Sequence, residues 1–179
     1  MANDIELPWD QYIAASMVGL LRYADVLGNG RKSASQKHRT WDEQRADHMR
    51  GAVGECAAAA MLGRYWPASL NTFHNAPDIG SNTEVRYSEH GPLKVRPGDP
   101  RQANYILVTG AAPFLTMVGY LPGNECIRAE WQRNPGQAGP AWFVPRDALR
   151  PIPETWQARP VPSGEFVIHS VAVDNSTHH

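Results

Sequence analysis

Two acids and a base lie close together in the sequence, between Asp78 and Arg86. Glu84 and Arg86 belong to a β-rich run, Thr83–Tyr87, in which alternate side chains share a face, so these two project together. A turn at Gly80-Ser81-Asn82 would bring Asp78 beside Glu84. Two close carboxylates repel unless a cation lies between them, and hard oxygen ligands suit Mg²⁺ or Mn²⁺. The alternative is a turn aspartate next to a surface Glu–Arg ion pair, which would contribute little.

A third carboxylate, Glu55, is the only charge in a small and apolar run over residues 51–62. At helical spacing one side of this run is apolar, and the side that carries Glu55 is also small or apolar, which predicts a buried helix. An unpaired buried carboxylate would cost on the order of several kcal/mol. Glu55 therefore requires a cation, a set of hydrogen bonds or a metal ion. Alternatively, it lies at the edge of the helix and reaches water or a nearby arginine.

The order of these residues resembles that of the PD-(D/E)XK nuclease superfamily, and in particular its small phage-encoded members. The likeness covers residues 51 to about 121 and is carried by Gly54-Glu55, Pro77-Asp78 and Glu84-Val85-Arg86. The resemblance implies a restriction-endonuclease-like fold. It also implies a metal-dependent DNA nuclease that hydrolyses phosphodiester bonds.

The same resemblance implies a role for each residue. Asp78 and Glu84 would hold Mg²⁺ or Mn²⁺ together with the backbone carbonyl of Val85, and Glu55 would support either a metal-bound water molecule or a second ion. The catalytic set would be Glu55, Asp78, Glu84 and Arg86.

The family usually has lysine at the position of Arg86. Arginine stays protonated and cannot act as a general base, but it can bind a phosphate through two hydrogen bonds. Two functions therefore stay open. One is an active nuclease in which Arg86 stabilises charge, and the other is a catalytically inactive DNA- or protein-binding accessory module of the same fold.

Basic side chains outside this set predict contacts with DNA, because they bind phosphates with salt-dependent affinity. The predicted DNA-binding residues are Arg31, Lys32, Lys37, Arg39 and Lys94. The first four lie in an expected loop over residues 31–39, and Lys94 lies on a predicted strand. The alternatives are a solvated loop and a solvated strand residue. Lys94 could also replace the missing motif lysine from a neighbouring strand.

Two helices followed by short strands must position these residues. Apolar residues at helical spacing predict a first helix over residues 9–27. Thr40 and Glu43 form a capping box for a second helix, which should run to about Trp66. Runs of β-forming residues separated by proline and glycine predict strands over 83–87, 93–95, 105–109, 115–121 and 142–144. This pattern predicts an α+β domain with two N-terminal helices packed on a central mixed β-sheet.

Length and composition limit the class of protein. The chain has 179 residues, a net charge of −1 and 42% hydrophobic residues, which suits one globular domain over residues 1–150. Residues 151–179 form a proline-rich extension with an edge strand expected at 166–173. We find no membrane span, signal peptide, paired cysteine motif or nucleotide-binding loop. We therefore expect a cytoplasmic protein of a bacterial or phage-infected cell, with DNA as partner and neither a membrane nor a nucleotide cofactor; an oligomer is compatible with the sequence.

Overall fold

A computed structural model describes residues 3–29, 40–70, 76–134 and 139–156. Its helices and longer strands follow the order expected from the sequence, which confirms the α+β class. The elements are β1 (Asp4–Glu6), α1 (Trp9–Gly28), α2 (Trp41–Met61), β2 (Thr83–Tyr87), β3 (Leu93–Val95), β4 (Asn104–Ala111), β5 (Phe114–Pro122), β6 (Gln132–Arg133) and β7 (Ala141–Val144).

The strands form two sheets where the sequence led us to expect one central sheet. The larger sheet has the order β1-β5-β4-β2 and is mixed, because β2 and β4 are parallel whereas the other neighbours are antiparallel. The smaller sheet has the order β3-β7-β6 and is antiparallel. Local β propensity identifies strands but does not choose their partners, and β3 pairs with β7 rather than with β2.

The helix α2 packs against both α1 and the larger sheet, and two glycines permit these contacts. A Cβ atom at Gly19 of α1 would lie 2.4 Å from Met49 Cα, and one at Gly54 would lie 3.2 Å from Tyr87 Cβ. The first distance leaves no room for a side chain, and the second is tight enough that Tyr87 would have to shift by a few tenths of an ångström. The predicted packing of a helix on a mixed sheet is therefore confirmed for α2, whereas α1 packs chiefly on α2.

The ends of α2 confirm one prediction and correct another. Thr40 and Glu43 form the expected capping box, with the Glu43 N–H donating to Thr40 Oγ1 and the Thr40 N–H to Glu43 Oε2. The helix ends at Met61, five residues before the Trp66 that we expected. Gly63 takes a left-handed conformation, with φ of 58°. A glycine in this conformation ends helices readily, so the chain turns before Trp66.

Side chains alternate across β4 and bury both faces of the larger sheet. Ile106 and Val108 belong to the core shared with α2, whereas Tyr105 and Leu107 belong to the core shared with β3 and β7. All four are fully buried. Burial on both faces explains why this strand is nearly continuously apolar in sequence.

The chain continues to pack on this domain after residue 150. Ile152 belongs to the core on the helical face, and the ring of Trp156 lies 4.6 Å from that of Tyr120. The edge strand expected at 166–173 lies outside the described residues. No helix in the described part of the chain has both the length and the apolar composition needed to cross a membrane.

Candidate functional site

The turn before β2 places Asp78 against that strand. The Ile79 N–H donates to the Thr83 carbonyl at 3.1 Å, and the two residues form an isolated antiparallel bridge. Gly80 has φ of 60° in the turn between them. Asp78 Oδ2 then accepts a hydrogen bond of 2.8 Å from the Val85 N–H. The predicted turn is thus present, and its effect is to fix the Asp78 carboxylate beside the middle of β2.

Three oxygens from this region face one nitrogen of Arg86. Its Nη1 atom lies 3.2 Å from Glu84 Oε2, 3.1 Å from the Val85 carbonyl oxygen and 3.9 Å from Asp78 Oδ2. These are the three groups that the family resemblance assigns to a metal ion. The point that the three oxygens share is therefore filled by a positive charge of the protein itself.

Asp99 holds the other end of the same guanidinium group. Its Oδ2 atom accepts hydrogen bonds from Arg86 Nη2 at 3.0 Å and from the Arg96 N–H at 2.9 Å. The Tyr105 ring lies beneath, 5.1 Å from Arg86 Cζ. Sequence reasoning missed Asp99, because an aspartate after Pro97-Gly98 reads as an ordinary turn residue. Its contact with Arg86 comes from the tertiary structure.

Glu55 is buried and fully engaged. Arg22 of α1 donates from Nη1 to Oε1 at 2.6 Å and from Nη2 to Oε2 at 2.8 Å, and Trp66 Nε1 donates to Oε2 at 3.2 Å. Arg22 is itself fixed by a hydrogen bond from Nε to the Ser69 carbonyl. Of the options that the sequence left open, the structure shows a cation together with a hydrogen bond. Sequence reasoning did not identify Arg22 or Trp66 as these partners.

These contacts form one group of charges, which we call the acid cluster. Its carboxylates are Glu55, Asp78, Glu84 and Asp99, and its cations are Arg22 and Arg86. Negative groups thus outnumber positive ones in a largely buried place, where like charges interact strongly.

The excess negative charge affects Asp78 most directly. Burial, followed by the charges of Glu55 and Glu84, raises the pKa of the Asp78 carboxyl to about 7, although the Val85 N–H and Arg86 act in the opposite direction. Burial acts to lower the pKa of Arg86, but the neighbouring carboxylates outweigh it and raise that pKa. The cluster therefore keeps Arg86 charged and makes Asp78 the carboxylate that is costly to ionise.

The oxygens fit a divalent cation in chemical type, and the excess of negative charge would favour one. Carboxylate and carbonyl oxygens are hard ligands of the kind that Mg²⁺ and Mn²⁺ take. Among the residues that the structure describes, however, no group of three His, Cys, Asp or Glu side chains could hold a metal ion. The third oxygen is a backbone carbonyl, and Glu55 is engaged by Arg22. An ion can reach the shared point only if Arg86 Nη1 moves away from it.

Of the predicted DNA-binding residues, Lys94 lies in the part of the chain that the structure describes. Lys94 lies on β3 of the smaller sheet, with Nζ 5.3 Å from the centre of the Phe143 ring. Burial and the charge of Arg96 lower the pKa of Lys94. Arg31, Lys32, Lys37 and Arg39 lie outside the described residues. A role in DNA binding stays a prediction for all five.

Comparison with known proteins adds no family to this picture. No protein-family model matches the chain, and comparisons with curated proteins and with solved structures gave no match. Function must therefore be inferred from the arrangement of the acid cluster.

Proposed function

We propose that this chain is a metal-dependent DNA nuclease with a restriction-endonuclease-like fold, which hydrolyses phosphodiester bonds with Mg²⁺ or Mn²⁺. One observation carries the proposal: oxygens of Asp78, Glu84 and Val85 converge on a single point that already attracts a positive charge. Their order along the chain is the one that the superfamily resemblance requires.

Each residue has a defined part in this function. A divalent ion supplies Lewis acidity and neutralises charge on the phosphate. Asp78 and Glu84 would hold the ion with the Val85 carbonyl, and the Val85 N–H already orients the Asp78 carboxylate. Arg86 would leave the shared point and donate two hydrogen bonds to the phosphate, which stabilises charge without moving a proton.

Glu55 has a different place in the proposed site. Its two oxygens are bonded to Arg22 across the α1–α2 contact, so it adds negative charge while remaining fixed. Its action on the ion through a water molecule stays a prediction.

The test is cleavage of linear and circular DNA in Mn²⁺ and in Mg²⁺ by the full chain, with Asp78→Ala alongside. We expect the wild type to cut DNA and the cleavage rate of Asp78→Ala to fall at least about 100-fold. Loss of a residue that merely supports a metal ligand can already cost that much, and Asp78 would be a ligand itself. In addition, Mn²⁺ should raise the melting temperature of the wild type but not of Asp78→Ala, because a ligand that binds the native state stabilises it.

Asp42→Ala is the matched control, since it removes an exposed carboxylate from the first turn of α2. It should cut at the wild-type rate. Equal cleavage by Asp78→Ala and wild type would show that the residue assignment is wrong. No cleavage and no stabilisation by either metal would show that the nuclease proposal is wrong.

A second candidate function is the catalytically inactive binding module. It is favoured by the position of Arg86, whose guanidinium fills the shared point and is held from the other side by the buried Asp99. An ion must compete with these contacts, and in the module it would not succeed.

Substituting Arg86 by lysine tests this competition. Lysine has a single ammonium group and cannot bond Glu84 and Asp99 through separate nitrogens as Arg86 does. If the chain is a nuclease, we expect Arg86→Lys to cut at least about tenfold faster, since one charge-assisted hydrogen bond of ~1.5 kcal/mol no longer opposes the ion. Cleavage is measured with Mn²⁺ titrated into both proteins. If the wild type and Arg86→Lys are both inactive but the chain still binds DNA, the result would establish the catalytically inactive binding module.

A further inference from the structure

The outward side of α1 is apolar along most of its length. From Ile13 onward, every exposed residue of this helix is apolar or glycine: Ile13, Ala14, Met17, Leu20, Leu21, Ala24, Leu27 and Gly28. Five of these side chains are 38% to 59% exposed, and Trp9 extends the surface at 74%. A helix that faces water normally carries charged residues on this side.

We propose that a second copy of this chain covers this surface, so that the protein is a dimer joined through α1. We call the surface the α1 stripe and define it as Trp9, Ile13, Met17, Leu20, Leu21, Ala24 and Leu27. The proposal is independent of the nuclease activity.

The spacing within the α1 stripe is that of a helix pair. Ile13, Met17, Leu20, Ala24 and Leu27 follow one another at intervals of four, three, four and three residues. This is the heptad spacing by which two helices interlock their side chains along a seam. The α1 stripe is separate from the side of α1 that packs inside the domain, which includes Ala15, Gly19 and Tyr23. The spacing therefore serves a contact that the described part of the chain does not make.

The area and charge of the α1 stripe suit a second copy. Its exposed side chains offer roughly 600 Å² per chain, so that two copies would bury about 1,200 Å², the lower end of a specific interface. The α1 stripe contains no charge, so two copies do not repel. The one basic residue of α1 is Arg22, which binds Glu55. The other charged residues of α1 itself are the acids Asp10 and Asp25. A helix with no free basic residue on its polar side is a poor ligand for an anionic bilayer, which favours the dimer.

The α1 stripe also lies away from the acid cluster. Arg22 follows Ile13 by nine residues, which at 3.6 residues per turn places it on the opposite side of α1. Association through the α1 stripe therefore leaves the contact between Arg22 and Glu55 unchanged. A substitution in the α1 stripe can accordingly be judged without disturbing the proposed active site.

The test is the oligomeric state of the full chain, measured by sedimentation over a range of micromolar concentrations. We expect a wild-type dimer, and we expect Leu20→Glu to raise its dissociation constant at least about thirtyfold, because a charge is buried at the centre of the contact. Leu20→Met should still dimerise. Gln11→Glu adds the same charge to an exposed position on another side of α1, and should stay within about threefold of wild type.

Oxidative cross-linking of Leu20→Cys gives a second measurement. Leu20 lies near the middle of α1, so a two-fold axis brings it next to its own copy in a parallel or an antiparallel pair. Cys56 and Cys126 are buried and should not react. A disulfide-linked dimer supports the proposal.

Three results would overturn the dimer. They are a wild type that is monomeric at every concentration, a dimer that Leu20→Glu leaves intact, and a monomer that co-sediments with lipid vesicles. Circular dichroism of Leu20→Glu distinguishes loss of association from loss of folding.

Discussion

Replacing Arg22 by alanine is expected to lower the free energy of unfolding by about 3–5 kcal/mol, because it leaves the Glu55 carboxylate buried without its cation. The side chains of Arg22 and Glu55 are only 16% and 10% exposed, and they are joined by two short hydrogen bonds. The remaining donor, Trp66 Nε1, cannot supply the lost charge. Urea denaturation at pH 7, followed by circular dichroism, measures the loss.

Arg45→Ala is the matched control for this experiment. Arg45 pairs with Asp42 at 3.0 Å on the surface of α2, with 51% and 84% of the two side chains exposed. Such pairs contribute about 0–1 kcal/mol, so Arg45→Ala should change stability little. Adding Glu55→Gln to Arg22→Ala should recover part of the loss, since a neutral amide is less costly to bury than a charge. An Arg22→Ala variant no less stable than Arg45→Ala would show that the buried pair is not needed.

Stability should fall as the pH rises from about 4 to about 7, because Asp78 must ionise inside the acid cluster. Its pKa lies near 3.8 in the unfolded chain and is raised to about 7 in the fold by burial and by Glu55 and Glu84. In this window the folded state binds more protons than the unfolded state, so raising the pH favours unfolding. The stabilisation from protonated Asp78 is fully present below the pKa of the unfolded state and is lost as the pH rises through the pKa of the folded state. The free energy of unfolding should fall by on the order of 4 kcal/mol over this range.

Asp78→Asn should remove this dependence, since its amide oxygen can still accept from the Val85 N–H without carrying a charge. Relative to wild type, the variant should therefore become more stable as the pH rises, and it should exceed wild type above about pH 7. Urea denaturation across this range, without divalent metal, measures the difference. Asp42→Asn controls for loss of an exposed carboxylate. A stability difference between Asp78→Asn and wild type that does not change with pH would contradict the assignment.

Features that depend on neighbouring residues could be predicted from the sequence alone. The Thr40–Glu43 capping box, the turn before Thr83 and the shared face of Glu84 and Arg86 each involve residues within a few positions of one another. Their hydrogen bonds and backbone angles are largely local, so residue type and spacing predict them. The burial of the helix around Glu55 was also predictable, because the whole segment is small or apolar, although the sequence left open whether the carboxylate itself reaches water.

The partners of the charged groups depend on contacts that no local pattern encodes. Arg22 reaches Glu55 across 33 residues, and Arg86 reaches Asp99 across 13. These distances become short only after α1 has packed on α2 and after β3 has joined the smaller sheet. That is why the sequence indicated three acids and an arginine but not the arginine that neutralises Glu55 or the aspartate that holds Arg86.

The helix α1 shows the same difference between what local sequence patterns predict and what tertiary contacts decide. By itself the sequence determined that residues 9–27 form a helix, because apolar residues recur at helical spacing. That helix is apolar on more than one side, and periodicity alone does not say which side is buried. The tertiary structure decided this: Ala15, Gly19 and Tyr23 face the domain, whereas Ile13, Met17 and Leu20 face outward. The physical reason is that Gly19 lets the backbone of α1 approach Met49 of α2, and that close approach fixes the rotation of the whole helix.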